Sequence, residues 1–129
     1  MTTAWKPEAY STVSPYLVVL GAEREIAFMK AAFGGSELRR FDTPDGSVLH
    51  AEVRIGDTVI MIGDAGGDWP PVPCFLHVYV TDVDDVYRRA LAAGGESVEE
   101  PNRKDGDTDR RGGVRSPGGN TWWMATQME

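Results

Sequence analysis

Cysteine and histidine are scarce in this chain: its 129 residues hold one of the first and two of the second. A single thiol, Cys74, excludes an internal disulfide and any zinc cluster built on cysteines, and it suits a reducing compartment, so a cytoplasmic location is expected. Two imidazoles, His50 and His77, are a thin basis for a metal centre. No apolar run approaches the roughly 18 residues of a membrane span, and the start, MTTAWKPEAYSTV, lacks the basic-then-apolar order of a secretory signal. Basic residues are outnumbered, 13 Lys and Arg against 20 Asp and Glu, for a formal charge of −7. Neither nucleic acid, whose phosphates require a basic face, nor a membrane is an expected partner; a neutral or cationic small molecule is. There is no phosphate-binding glycine fingerprint and no Ser-His-Asp order.

What the chain does have is a repeat. SPYLVVLGAEREIAFMKAAFGG, Ser14 to Gly35, and FLHVYVTDVDDVYRRALAAGG, Phe75 to Gly95, each read as strand, helix and a Gly-Gly stop. The length allows one domain, 1–129, so the copies must share a core. Ala22, Ile26, Met29 and Phe33 form one helical stripe. Asp82 is a helix N-cap, ahead of a second stripe of Val83, Val86, Tyr87, Ala90 and Leu91. SELRRF, SVLHAEVRI and TVIMIG predict a three-strand meander after the first helix; ESVEE, GGVR and NTWWMATQ predict a weaker one after the second, interrupted by the loop PNRKDGDTD. The expected fold is α+β: module one over about 13–64, a linker over 65–73 that is extended around its prolines, and module two over about 74–126.

Strand alternation assigns faces. Leu17 and Val19 belong under the first helix, which turns Tyr16 to the opposite, concave side; Leu76, Val78 and Val80 belong under the second, which turns Phe75, His77 and Tyr79 away. In SVLHAEVRI, Leu49, Ala51, Val53 and Ile55 make an apolar face, and His50, Glu52 and Arg54 share the other. Trp122 and Trp123 are adjacent in the last strand and must face opposite ways, with Trp123 toward the cleft. Tyr16, Phe75, Tyr79 and Trp123 could then stack on a planar ligand beside a deformable Met61. Arg110 and Arg111 could clamp an anion or pair with the neighbouring aspartates. The DGDTD run lacks the spaced ligands and terminal glutamate of a calcium loop.

The phrases SPYLVV, IAFMKAAFG, HAEVRIGDTVIMIGD, VYVTDVDDVYRRALAAGG and DRRGGVRSPGGNTWWMAT, in that order, resemble the glyoxalase, bleomycin-resistance and extradiol-dioxygenase superfamily, also called vicinal oxygen chelate proteins, and within it the phosphonate-operon-like and demethylubiquinone-methyltransferase-like subgroup. The resemblance runs from about Val13 to Thr126. It implies paired βαβββ modules, helices outside, with a mixed sheet curled around a cleft, and a homodimer. It also implies four metal-ligand positions, which here hold Ser14, Met61, Phe75 and Trp123. None is a usual metal ligand, so no metal and no other cofactor is expected. Two functions remain open. One is a metal-free binder of the bleomycin-resistance kind that sequesters a planar or cationic compound with Tyr16, His50, Glu52, Met61, Phe75, His77, Tyr79, Arg111 and Trp123. The other is a lyase, isomerase or transferase in which His50, Glu52 or His77 moves a proton.

Overall fold

The structure is a computed structural model that describes residues 4–129. The expected domain over 1–129 and the start MTTAWKPEAYSTV both include residues 1–3, which lie outside the described residues. The chain runs β1 (Tyr16–Val19), α1 (Ala22–Phe33), β2 (Ser36–Asp42), β3 (Val48–Ile55), β4 (Thr58–Asp64), β5 (Phe75–Tyr79), α2 (Val83–Ala92), β6 (Glu96–Asn102), β7 (Asp109–Arg115) and β8 (Thr121–Gln127). Each half is therefore strand, helix and three strands, an α+β arrangement. The halves form two four-stranded mixed sheets of matching order, β1-β4-β3-β2 and β5-β8-β7-β6, in which the first strand lies parallel to the last and the rest are antiparallel.

The Gly-Gly stops do the same two jobs in both copies. Gly34 (φ 69°) and Gly94 (φ 100°) adopt the left-handed conformation that turns the chain off its helix. The second glycine of each pair is a matter of space: a Cβ on Gly35 would sit 2.7 Å from Val53 Cγ1, and one on Gly95 would sit 2.3 Å from Val114 Cγ1. These close approaches let each exit strand fold directly back over its own sheet. At the other end of α2, the Asp82 carboxylate accepts the amide of Asp85, as an N-cap should.

One core joins the modules. Leu17, Val19, Ile26 and Met29 of the first half are buried in the same cluster as Val83, Val86, Val114 and Trp122 of the second. Helix α1 packs against α2 as well as against its own sheet, and Phe33 reaches Trp122 with ring centroids 4.8 Å apart. A polar lock sits inside this contact. Glu25 of α1 is fully buried and accepts hydrogen bonds from Ser116 Oγ (2.6 Å), Gly118 N (2.8 Å), Asn120 Nδ2 (3.2 Å) and Trp122 Nε1 (3.3 Å), all from the β7–β8 turn and β8.

Three expectations need correction. Leu49 is not part of the apolar face: it is 62% exposed and Val48 is buried instead. The pairing of Phe41 with His50 is followed by that of Asp42 with Val48, and the extra residue in this bulge reverses the alternation. Leu91, at the margin of the α2 stripe, is turned outward. The loop expected over PNRKDGDTD is shorter, because β6 continues through Pro101 to Asn102 and β7 resumes at Asp109; a register shift between Glu99 and Asn102 accommodates the proline. The linker begins with a turn, ahead of its prolines. Gly66 and Trp69 close a turn, after which Val72 N bonds Val18 O (3.0 Å) and covers the outer edge of β1. The outer edge of β5 has no strand partner among the described residues.

Candidate functional site

On the first module, a line of polar groups crosses the sheet. The carboxylate of Glu52 is 4% exposed and can only accept, so the His50 Nε2 that meets it at 2.8 Å carries the proton. In the neutral ring His50 Nδ1 is then the acceptor, and the Tyr16 hydroxyl donates to it at 3.1 Å. Tyr16 is on β1 and His50 on β3, with β4 between them. Gly63 of β4 lets them meet: a Cβ there would stand 2.8 Å from the bulged Leu49 carbonyl oxygen and 3.5 Å from the Tyr16 hydroxyl. The second Glu52 oxygen accepts from Tyr10 at 2.5 Å. Burial opposes ionisation of Glu52, but the hydrogen bonds from Tyr10 and His50 outweigh it and hold the carboxyl below its ordinary range. The same Glu52 contact, aided by burial, raises the Tyr10 phenol.

Tyr10 was not foreseen. It belongs to an irregular segment that lies against β3 and β4, where Arg54 donates to Ala9 O and Val59 N to Ser11 Oγ, and the guanidiniums of Arg39 and Arg54 flank its ring. No periodicity marks such a segment. Met61 is half-buried and stands in register with both Tyr16 and Glu52.

The second module presents a different face. Phe75, His77 and Tyr79 line one side of β5; Phe75 is 80% and Tyr79 65% exposed, and His77 meets Tyr79 with ring centroids 4.9 Å apart. Trp123 pairs with His77 across the strands and lies over Gly113, where a Cβ would be 2.7 Å from its ring. Arg111 donates from Nε to His77 Nε2 (3.3 Å) and from Nη2 to Asp109 Oδ2 (3.0 Å), which also accepts from Tyr79 (2.7 Å). His77 therefore keeps its proton on Nδ1. Partial desolvation, then the Arg111 charge, pull its pKa below the ordinary value, with Asp109 opposing. Arg110, one residue along the strand, points the other way and pairs with Asp84 through two contacts of 2.9 Å. Asp109, placed by the sequence in a loop, is the first residue of β7 and is buried.

Between β1 and β5 runs a groove of about 1180 Å³, with Phe33, Ile60, Val86 and Trp122 in its lining. Tyr16 lies on one wall and Phe75, His77 and Tyr79 on the other. Of the residues expected in a single cleft, the structure brings these four to one groove. His50, Glu52 and Met61 stand behind Tyr16, and Arg111 and Trp123 behind His77.

The metal-ligand positions were tested against these surroundings. Ser14 offers one neutral hydroxyl, hydrogen-bonded with Ser11 (3.0 Å), Met61 a thioether, Phe75 an exposed ring and Trp123 an indole packed on Gly113, so the four positions together fall short of the roughly three or four nitrogen or oxygen donors that a divalent ion requires. Among the described residues, no three His, Cys, Asp or Glu side chains gather around a metal-sized site. These residues do not fit the ion.

The model of the Glyoxalase/Bleomycin resistance protein/Dioxygenase superfamily matches residues 13–124. An uncharacterized protein of Mycobacterium bovis is 36% identical over 121 residues, covering 85% of this chain and 79% of its own. Among solved structures, TioX from Micromonospora sp. ML1 superposes with a TM-score of 0.74 at 25% identity, over 91% of this chain and 98% of TioX. TnmS3, an antibiotic binding protein from Streptomyces sp. CB03234, superposes with a TM-score of 0.67 at 19% identity, over 91% and 97% of the two chains. The paired modules, their shared core and the inter-module groove thus have their counterpart in sequence, and the chain belongs to the glyoxalase/bleomycin resistance protein/dioxygenase superfamily.

Proposed function

We propose that this protein binds a planar, neutral or cationic small molecule in the groove between its modules and protects by sequestering it, without a metal or another cofactor. The observation that carries the reading is the β5 face, where Phe75, His77 and Tyr79 stay exposed on a groove wall although burial of such rings is favourable. A ring system laid on that face would cover them, while the apolar lining around Leu76 and Trp122 lies on the other face of the sheet. Asp109 and Asp107 beside Arg111, together with the net charge of −7, suit a cationic substituent. The antibiotic-binding description of TnmS3, a protein of the same fold, agrees with this reading. The proposal includes a cytoplasmic homodimer.

Titrating the protein with a panel of cationic and neutral planar antibiotics, read as quenching of tryptophan fluorescence, tests it. Saturable quenching that is weakened by Phe75→Ala and Tyr79→Ala is expected; a panel without one saturating compound sinks the reading. A second reading, an enzyme of this fold, draws on the 2.8 Å contact of His50 with Glu52. Turnover abolished by His50→Asn or His77→Asn with binding retained would establish it.

A further inference from the structure

The first module carries more than a ligand wall needs. Tyr16 is half-exposed on the groove and is the outer end of a continuous chain of hydrogen bonds, Tyr16 to His50 (3.1 Å), His50 to Glu52 (2.8 Å) and Tyr10 to Glu52 (2.5 Å), that runs away from the groove into the protein. A tyrosine serving only to stack would need no imidazole behind it. The imidazole in turn is oriented by a buried carboxylate whose other oxygen is already occupied by Tyr10, so Glu52 has one free role: to stabilise a positive charge on His50. Among the described residues, His50 meets the Tyr16 hydroxyl from β1, the Glu52 carboxylate from β3 and, from β2, the uncharged ring of Phe41. Arg39 and Arg54 lie over the Tyr10 ring; the hydrogen bonds from Tyr10 and His50, with a smaller contribution from the Arg39 charge, hold the Glu52 carboxyl below its ordinary range against burial.

We propose that Tyr16, His50 and Glu52 form a proton relay that takes up the proton of an acidic hydroxyl on the bound planar ligand, so that hydroxylated aromatics are held as their anions. The inference rests on the groove being the ligand site. The ligand O–H gives its proton to the Tyr16 oxygen as the Tyr16 proton passes to His50 Nδ1. The products are a ligand oxyanion hydrogen-bonded to an intact phenol, and an imidazolium held between Tyr16 and Glu52. No bond to carbon changes and no electron moves. An aromatic hydroxyl acidified by an electron-withdrawing ring is the matching chemistry because its acidity comes closer to that of imidazole than an ordinary phenol's does, whereas an alkyl alcohol would leave the proton where it was. The ladder of Phe75, His77 and Tyr79 across the groove selects the flat ring that carries such a hydroxyl.

Coumarin and 7-hydroxycoumarin provide the test, because they share a ring system and only the second ionises, with a separate excitation band for its anion. At a pH where free 7-hydroxycoumarin is mostly neutral, the bound dye should show the anion band, and its Kd should be about tenfold lower than that of coumarin, the equivalent of one pKa unit. Tyr16→Phe and His50→Gln should remove the band and the tenfold preference. Tryptophan quenching by coumarin, which has no hydroxyl, reports whether the groove in His50→Gln is intact. Bound 7-hydroxycoumarin without an anion band, a band that survives His50→Gln, or binding of coumarin alone overturns the relay and leaves the groove reading in place. Quenching by neither dye overturns both.

Discussion

Glu25 offers the sharpest test of how the two modules are held together. Replacing it with alanine removes the acceptor for four donors at once. Ser116 can turn its hydroxyl to the Asn120 carbonyl oxygen, 3.2 Å away, but the Gly118 amide, the Asn120 side chain and the Trp122 indole have no second acceptor of that kind. Each buried donor left without a partner costs about 1–3 kcal/mol. Three such donors together cost about 3–9 kcal/mol, and relief from burying the carboxylate offsets part of that, so Glu25→Ala should cost about 3–5 kcal/mol. That is a large share of the roughly 5–15 kcal/mol that holds a domain folded. In urea unfolding followed by tryptophan fluorescence, the midpoint should fall by roughly 2 M for slopes of 1–3 kcal/mol per molar. Glu25→Gln keeps one carbonyl oxygen for the donors and should cost only about 1–2 kcal/mol. An alanine variant within about 1 kcal/mol of the parent would refute the reasoning, since water would then be satisfying a site that the structure shows closed.

Gly113→Ala should push Trp123 off β7, because the new Cβ would stand 2.7 Å from its ring. The expected cost is about 1–3 kcal/mol in thermal unfolding, with a shifted tryptophan emission. His77 should titrate by NMR below about 6.5, and Arg111→Ala should raise its midpoint by removing the neighbouring cation. Because its folded pKa lies below the unfolded one, His77 lowers stability only as pH falls below about 6.5, and that loss should be smaller in the Arg111 variant.

Local signals carried the sequence reading wherever a residue's neighbours in the chain decide its environment. Leu17 and Val19 alternate with Tyr16 on a strand, Asp82 caps α2 and the glycine pairs end both helices; all of these follow from backbone geometry. The reading failed where a distant residue decides. Leu49 is turned out by a bulge set by the pairing with β2. Glu25 falls three residues after Ala22, beside the apolar stripe, and Glu23 does not, yet nothing local foretells the β7–β8 turn that covers Glu25 and supplies its donors. The candidate site divides along the same line. His50 and Glu52 share a strand face and could be seen together; Tyr10, which completes them from 42 residues away, could not.

The bare outer edge of β5 bears on how the molecule avoids sticking to itself. An unpaired strand edge is a template for any passing extended chain, and this one displays aromatic rings as well. On β1 the linker shields the edge by the bridge from Val72 to Val18. Beside β5 the protection is of another kind: Pro70, Pro71 and Pro73, just upstream, have no amide hydrogen to donate, so a ladder begun on Phe75–Tyr79 cannot propagate backward along the linker. Five residues of open edge can dock a partner of limited size, but they give a growing fibril little to build on.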